Sequence, residues 1–399
     1  MDKYNIIDDE YIAALKAGII RYAIKIQTLD HWENVVGEIT TDLIPQSCSV
    51  SVNKQQGTRR AASIAVYDKD RKYTPTVNSD FWYNRKFKVM SGIKVADKVR
   101  WFSVGVFIPT EAQGDGKTLT VSAADKYGNL NGETKTGVCD KPFTTDIASG
   151  DIYVAELIRE VLMIDIGNGL PIDPVQPKID AEFETTALYH DITLNAGQYY
   201  GEIITELADM YGADVYYDSE GALVFTRKTT TDIPSWYQHL GHIWNFGGEL
   251  TAVSEGSTSY KLDGVNAVTV TTDNSEGEIY SYTARNQNAE SPINVKAVGE
   301  HFYETVPVYI NAGDTSVYSG EEKCREYAEY LLMQSTVNSV SEAFAYPIIP
   351  HFDVDCVVGY RNKDYMISQI NFDFGSLMMS LELCNINFLP SNHNISSYD

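Results

Sequence analysis

Two histidines, His239 and His242, stand three residues apart, a spacing that can set two imidazoles on one helical turn as metal ligands. No third ligand lies near them, and Trp236 and Trp244 on either side point to packing. The same aromatic stretch, Trp236–Trp244 with Tyr237, would also suit stacking on sugar rings. On that alternative the chain is a cell-surface carbohydrate-binding or cell-wall-degrading protein. Asp353 and Asp355 sit two apart and could mimic a carboxylate pair for acid–base work. Alternation on a solvated strand face accounts for them more simply. Gly114-Asp-Gly-Lys-Thr118 resembles the end of a phosphate-binding loop, but Glu111 occupies the position of its first glycine. A hairpin turn is expected there. Asp214–Gly221 lacks calcium-loop spacing, and no Gly-x-Ser-x-Gly elbow occurs. The expectation is a chain with no catalytic, cofactor-binding or metal residues, and no enzyme.

The composition sets wider bounds. At 399 residues the chain is long enough for two or three domains. Its 27 tyrosines favour strands and half-buried surfaces, where the ring is dry and the hydroxyl wet. Net charge is −24, unevenly spread: residues 1–130 hold 18 Lys and Arg against 15 Asp and Glu, and residues 131–399 hold 13 against 40. A body this acidic disfavours tight nucleic-acid binding, which needs basic contacts to phosphate. The five cysteines are scattered and form no CxxC pair, so buried, reduced thiols in a protein made in a cytoplasm are expected. No apolar run approaches the length of a membrane span.

Along the chain, Asp8–Ala17 predicts a short helix capped by Asp8 or Asp9, with Ile12 and Leu15 inward; such an arm suits clipping onto a neighbour. Strands follow at Arg21–Asp30, Ser47–Asn53, Ala61–Tyr67, Arg85–Val95, Arg100–Pro109 and Thr118–Ala124, which suggests a small barrel or sandwich. Gly128–Ile147 reads as a linker. Helices at Ile152–Met163 and Gln198–Tyr211, with a hairpin at Ala213–Tyr217 and Ala222–Thr226, make an α+β module. Strand texture returns at Ser259–Leu262, Val265–Thr272 and Glu278–Ala284. Glu321–Gln334 is a helix whose stripe is Cys324, Tyr327, Ala328, Leu331 and Leu332. Then come Ser341–Ala345, an alternating strand over Phe352–Val358, a turn over Gly359–Asp364, and a hairpin of Tyr365–Asp373 with Ser376–Leu383.

Four stretches carry a family resemblance: Ser47–Asp70 with Tyr73-Thr-Pro75, Lys86–Glu111 with Leu119–Asn129, Gly197–Thr226, and Glu321–Leu383. In that order they resemble the baseplate hub proteins of phage tails and of related contractile bacteriocin particles. The resemblance implies a β-rich α+β chain in which two small tail-tube-like β-barrel domains flank an inserted α+β domain. The expected layout is an N-terminal arm (1–19), a first barrel (20–130), a linker and insert (131–248), a second barrel carrying helix 321–334 (249–388) and a polar tail (389–399). It also implies a homotrimer whose ring has pseudo-sixfold symmetry. That ring would join a tail-tube protein to a spike or tip protein around a channel for DNA, in a virion tail baseplate, with no membrane anchor.

Overall fold

The computed structural model describes residues 7–17, 19–77, 79–82, 85–188, 190–227, 244–248, 250, 256–272, 279–301, 306–308, 320–337 and 339–386. Strand residues outnumber helical ones about two to one, as a β-rich chain requires. The first elements are α1 (Asp9–Lys16), β1 (Tyr22–Leu29), β2 (Val35–Ile39), β3 (Ser49–Asn53), β4 (Arg60–Tyr67), β5 (Lys86–Val95), β6 (Lys98–Gly114) and β7 (Thr118–Asp125). Next come β8 (Phe143–Thr144), α2 (Val154–Leu162), β9 (Lys178–Ile179), β10 (Thr193–Leu194), α3 (Glu202–Tyr211), β11 (Ala213–Tyr217) and β12 (Leu223–Arg227). The remainder holds β13 (Trp244–Phe246), β14 (Ser257–Tyr260), β15 (Ala267–Thr272), β16 (Ser281–Arg285), β17 (Val306–Val308), the long helix Gly320–Val337, β18 (Val340–Pro347), β19 (Val357–Tyr360), β20 (Lys363–Asp373) and β21 (Met378–Asn385).

The chain divides into two units: Met1–Thr226 with Ala345–Val354 and Gln369–Leu381, and Arg227–Phe344 with Asp355–Ser368 and Glu382–Asp399. In the first unit the strands run in the order β20-β3-β4-β7-β6-β5-β1-β2, every neighbour antiparallel. Alternation sends Ile26, Val50, Val52, Ile64, Val66, Val89 and Val121 into the core, with Phe81, Phe87 and Phe107 stacked edge and face beside them. β6 continues past Pro109 because a register shift between Pro109 and Glu111 removes the ladder bond that proline cannot donate. The edge strand β2, too short and glycine-broken to stand out in the sequence, completes this sheet.

Asp8 caps α1 by accepting from the Tyr11 amide, but the inward residues are Tyr11 and Leu15 rather than Ile12 and Leu15. Tyr11 is fully buried against Phe102 and His351, and its hydroxyl meets His351 Nδ1 at 2.9 Å. The arm is therefore clipped onto its own unit. Residues 128–147 are no tether either. Leu130 and Cys139 are buried, and β8 pairs with β10. Leu130 joins α2 (Val154, Leu157, Ile158, Val161, Leu162), α3 (Ile203, Ile204, Leu207) and the β11–β12 hairpin (Tyr217, Leu223, Phe225) in one apolar core.

In the second unit the long helix lays Cys324, Ala328 and Leu332 on Val268, Val270 and Ala284 of β15 and β16, with Tyr327 and Leu331 at the margin. Asn266 pins the loop after β16: its amide nitrogen reaches the Ile293 and Gly299 carbonyls, and its oxygen accepts from the His301 amide. β19 and β20 form a two-residue hairpin whose Arg361 and Asn362 both take positive φ, the geometry that matches strand twist. The strand expected over Phe352–Val358 is shorter than its alternation suggested. Only Val357–Tyr360 pairs, and Phe352 to Cys356 are all buried, so alternation there does not mark a solvated face.

Candidate functional site

The most concentrated polar chemistry in the described residues lies in the first unit, where the module of residues 131–226 meets the sheet. Lys126, just past β7, is wholly buried. Its ammonium lies 2.6 Å from Glu33 Oε1 in the β1–β2 turn and 2.9 Å from Asp173 Oδ1 in the module's proline-rich loop. Lys86 at the start of β5 reaches the same Glu33 oxygen at 2.7 Å. Two cations and two carboxylates thus neutralise one another out of water, and Asp173 Oδ1 also accepts the Val175 amide. The Lys126 ammonium stands 5.0 Å from the ring centre of Tyr217 on β11. Burial, then the nearby carboxylate of Asp173, holds the Tyr217 phenol well above its ordinary pKa, so it stays neutral.

Adjacent arginines at the start of β4 extend the junction to different partners. Arg59 pairs with Asp214 of β11 at 2.6 Å and stacks its guanidinium 3.7 Å from the Tyr216 ring centre. Arg60 gives one nitrogen to both oxygens of Asp353, at 2.7 and 2.6 Å, and another to the Val104 carbonyl at 3.0 Å. Gly105 makes this possible, since a Cβ there would overlap the Phe107 ring at 2.6 Å and crowd the Arg60 side chain. Asp125 accepts from the Arg60 and Tyr127 amides. Burial nevertheless pushes its carboxyl up to about 6, against those two amides and the Arg60 and Arg59 charges. The tip of the β11–β12 hairpin completes the contact: Ser103 donates to the Ser219 carbonyl, Lys88 pairs with Glu220, and Gly221 at φ 85° lies against Val106. This arrangement fixes two modules in one orientation, with every carboxylate committed to a cation or an amide.

The residues singled out from the sequence fare differently. Asp353 and Asp355 are both buried and not on a strand face; Asp353 is the Arg60 counter-ion, and Asp355 sits at φ 69° with its amide on the Ile367 carbonyl. The solvated-strand reading fails there. Gly114–Thr118 is the expected hairpin turn, tied by Asp115 accepting the Lys117 and Thr118 amides. Asp218 orders the β11–β12 turn in the same way, through the Glu220 and Ala222 amides. Trp244 is buried in β13, which pairs with β19; Trp236, Tyr237, His239 and His242 lie outside the described residues. All five cysteines are buried thiols. Among the described residues no group of three or more His, Cys, Asp or Glu side chains could hold a metal ion, and no helix is long and apolar enough to cross a membrane. Sequence reasoning missed Lys126, Glu33, Asp173 and the Arg60–Asp353 pair. No period marks Lys126: it follows β7 in a short turn, and the strand's alternation sends Leu119, Val121, Ala123 and Asp125 inward instead.

The architecture is one that phage tail proteins share: the chain has their fold. The 43 kDa tail protein of prophage MuSo2 from Shewanella oneidensis is similar over 92% of this chain and 99% of its own, at 12% identity and a TM-score of 0.51. The tail protein from Neisseria meningitidis MC58 is similar over 92% of this chain and 98% of its own, at 10% identity and a TM-score of 0.51. A half-lidded PdpA–VgrG complex from Francisella contains a chain similar over 98% of this one and 62% of its own, at 7% identity and a TM-score of 0.50. No family model matches the chain, and no curated protein matches its sequence.

Proposed function

We propose that the chain is the structural baseplate hub of a phage or phage-like tail. On this reading three copies close a pseudo-sixfold ring that joins a tail-tube protein to a spike or tip protein. Residues 20–130 and 249–388 are the two tube-like barrel domains, and 131–248 is the insert between them. The ring's channel carries acidic side chains, which let DNA pass without sticking. The role is mechanical, without catalysis or cofactor. The single observation behind it is the end-to-end likeness to two whole tail proteins, which leaves almost no part of either chain unmatched. The buried junction supports a mechanical role, because charges locked in pairs hold orientation under load. That one similar structure is a PdpA–VgrG complex supports a hub with protein neighbours.

The test is the mass and shape of the purified chain. Light scattering is expected to give three times 44.5 kDa, and negative-stain images a ring with a central opening. A single-chain mass across the accessible concentration range, or particles without an opening, would refute the hub.

A further inference from the structure

Strands β1, β5 and β6 turn one face to the core; the tip of the β11–β12 hairpin covers the other at Ser103 and Lys88, and the rest of it is open. Register places Ala23, Gly92 and Trp101 in one row of the open face, Lys25, Met90 and Ser103 in the next, and Gln27 with Lys88 beyond. Ala23, Lys25, Gln27, Lys88, Met90, Val99 and Trp101 are only half-buried, whereas Ile26, Thr28, Val89 and Ile93 behind them are buried. At Gly92 an added Cβ would lie 2.6 Å from Val99 and 2.9 Å from the Trp101 ring, so the absent side chain lets both lie flat as a platform. Lys25 stands 4.9 Å from the Trp101 ring centre and is paired with Glu38. Arg21 and Lys94 are exposed side by side, the Lys94 amide bonding the Arg21 carbonyl, and neither makes an ion pair among the described residues. The face is therefore aromatic, flat and cationic on a chain of net charge −24.

Its complement is in the same chain. Residues 20–130 hold 16 basic and 11 acidic residues, whereas residues 131–226 hold 4 basic and 18 acidic ones. One acidic residue of that module, Glu220, already touches the cationic face at Lys88, 3.2 Å away. Glu156 and Glu160, four apart on α2, are exposed, and the one cation of that helix, Arg159, is hydrogen-bonded to Glu184. Within one chain the two segments meet through Arg59–Asp214, Lys126–Asp173 and Lys88–Glu220, which leaves Arg21 and Lys94 on one side and Glu156 and Glu160 on the other outside those pairs, and like net charges resist any association that lacks complementarity.

We infer that the open face of β1, β5 and β6 is the docking surface for a second copy of this chain, presented through the carboxylates of its residues 131–226. The contact is heterologous, one surface meeting a different one, so it propagates from copy to copy and closes only as a ring. Trp101, Met90 and Arg21 are of the residue types enriched at protein interfaces rather than on solvated strand faces. The inference deepens the self-association proposed above and rests on it.

The experiment is sedimentation velocity of the full chain from about 50 to about 500 mM salt, a range that shortens electrostatic reach several-fold. It compares the wild type, Arg21→Glu/Lys94→Glu, Glu156→Lys/Glu160→Lys, and an equimolar mixture of the two variants. All four substitutions are on exposed positions, and circular dichroism checks that each variant folds. Wild-type assembly is expected to weaken with salt. Each reversed variant should associate at least about tenfold more weakly, and the mixture should recover assembly, because the reversed surfaces again oppose in sign. Assembly of both variants at the wild-type level overturns this surface and leaves the ring intact. A wild type that stays single at every concentration overturns both. A parallel titration with a DNA duplex supplies the remaining outcome: tight binding lost in Arg21→Glu/Lys94→Glu, with assembly unchanged, gives the face to a polyanion and overturns the proposal.

Discussion

Replacing Lys126 by Met keeps the length and apolar stem of the side chain and removes one charge from the buried junction. Glu33 keeps Lys86, but Asp173, 1% exposed, loses its cation and is left with neutral partners such as the Val175 amide. Breaking a buried pair from one side costs about 3–5 kcal/mol, because the remaining charge stays desolvated without its partner. For a unit of about 250 residues each kcal/mol lowers Tm by about 2–4 °C, so a fall of about 6–20 °C is expected by calorimetry. Hydrogen exchange should rise first in β11 and β12, whose Tyr217 packs over the lost ammonium. The double variant Lys126→Met/Asp173→Asn removes the orphaned charge and should recover part of the loss, a coupling of about 0.5–3 kcal/mol. A single-variant cost below about 1 kcal/mol, or strict additivity in the double variant, would refute the reasoning. The junction would then be a contact that the fold tolerates rather than one that fixes the module.

Two further outcomes follow from the same region. Asp125 titrates in the folded protein at about 6 against an ordinary 3.8, so the folded state holds the proton more tightly. Its contribution to stability declines as pH rises from about 4 to about 6 and is flat above; relative to Asp125→Asn the wild type should lose up to about 3 kcal/mol between pH 4 and pH 7, and parallel pH profiles in denaturant melts would contradict this. Gly221→Ala must hold φ 85° and bring a Cβ within 2.7 Å of Val106, so a loss of about 1–3 kcal/mol is expected; unchanged stability would show that the hairpin tip does not press on β6.

Sequence alone determined the local elements of this protein. The strands near 22–29, 49–53, 60–67, 86–95 and 118–125, the hairpin at 213–226 and the helix ending near 337 each follow from a period of two or of 3.6 within a dozen residues. The stripe Cys324, Ala328, Leu332 faces its sheet for the same reason. Local periodicity fails where burial comes from all sides, as in Phe352 to Cys356, and where a strand is short and at an edge, as in β2. Tertiary structure alone decided which charges meet. Arg60 and Asp353 are 293 positions apart, and Lys126 draws its two carboxylates from a turn 93 residues before it and a loop 47 residues after it. A charge has no period and no directional signature along the chain; its partner is set only when folding removes water and brings the second charge within hydrogen-bonding distance.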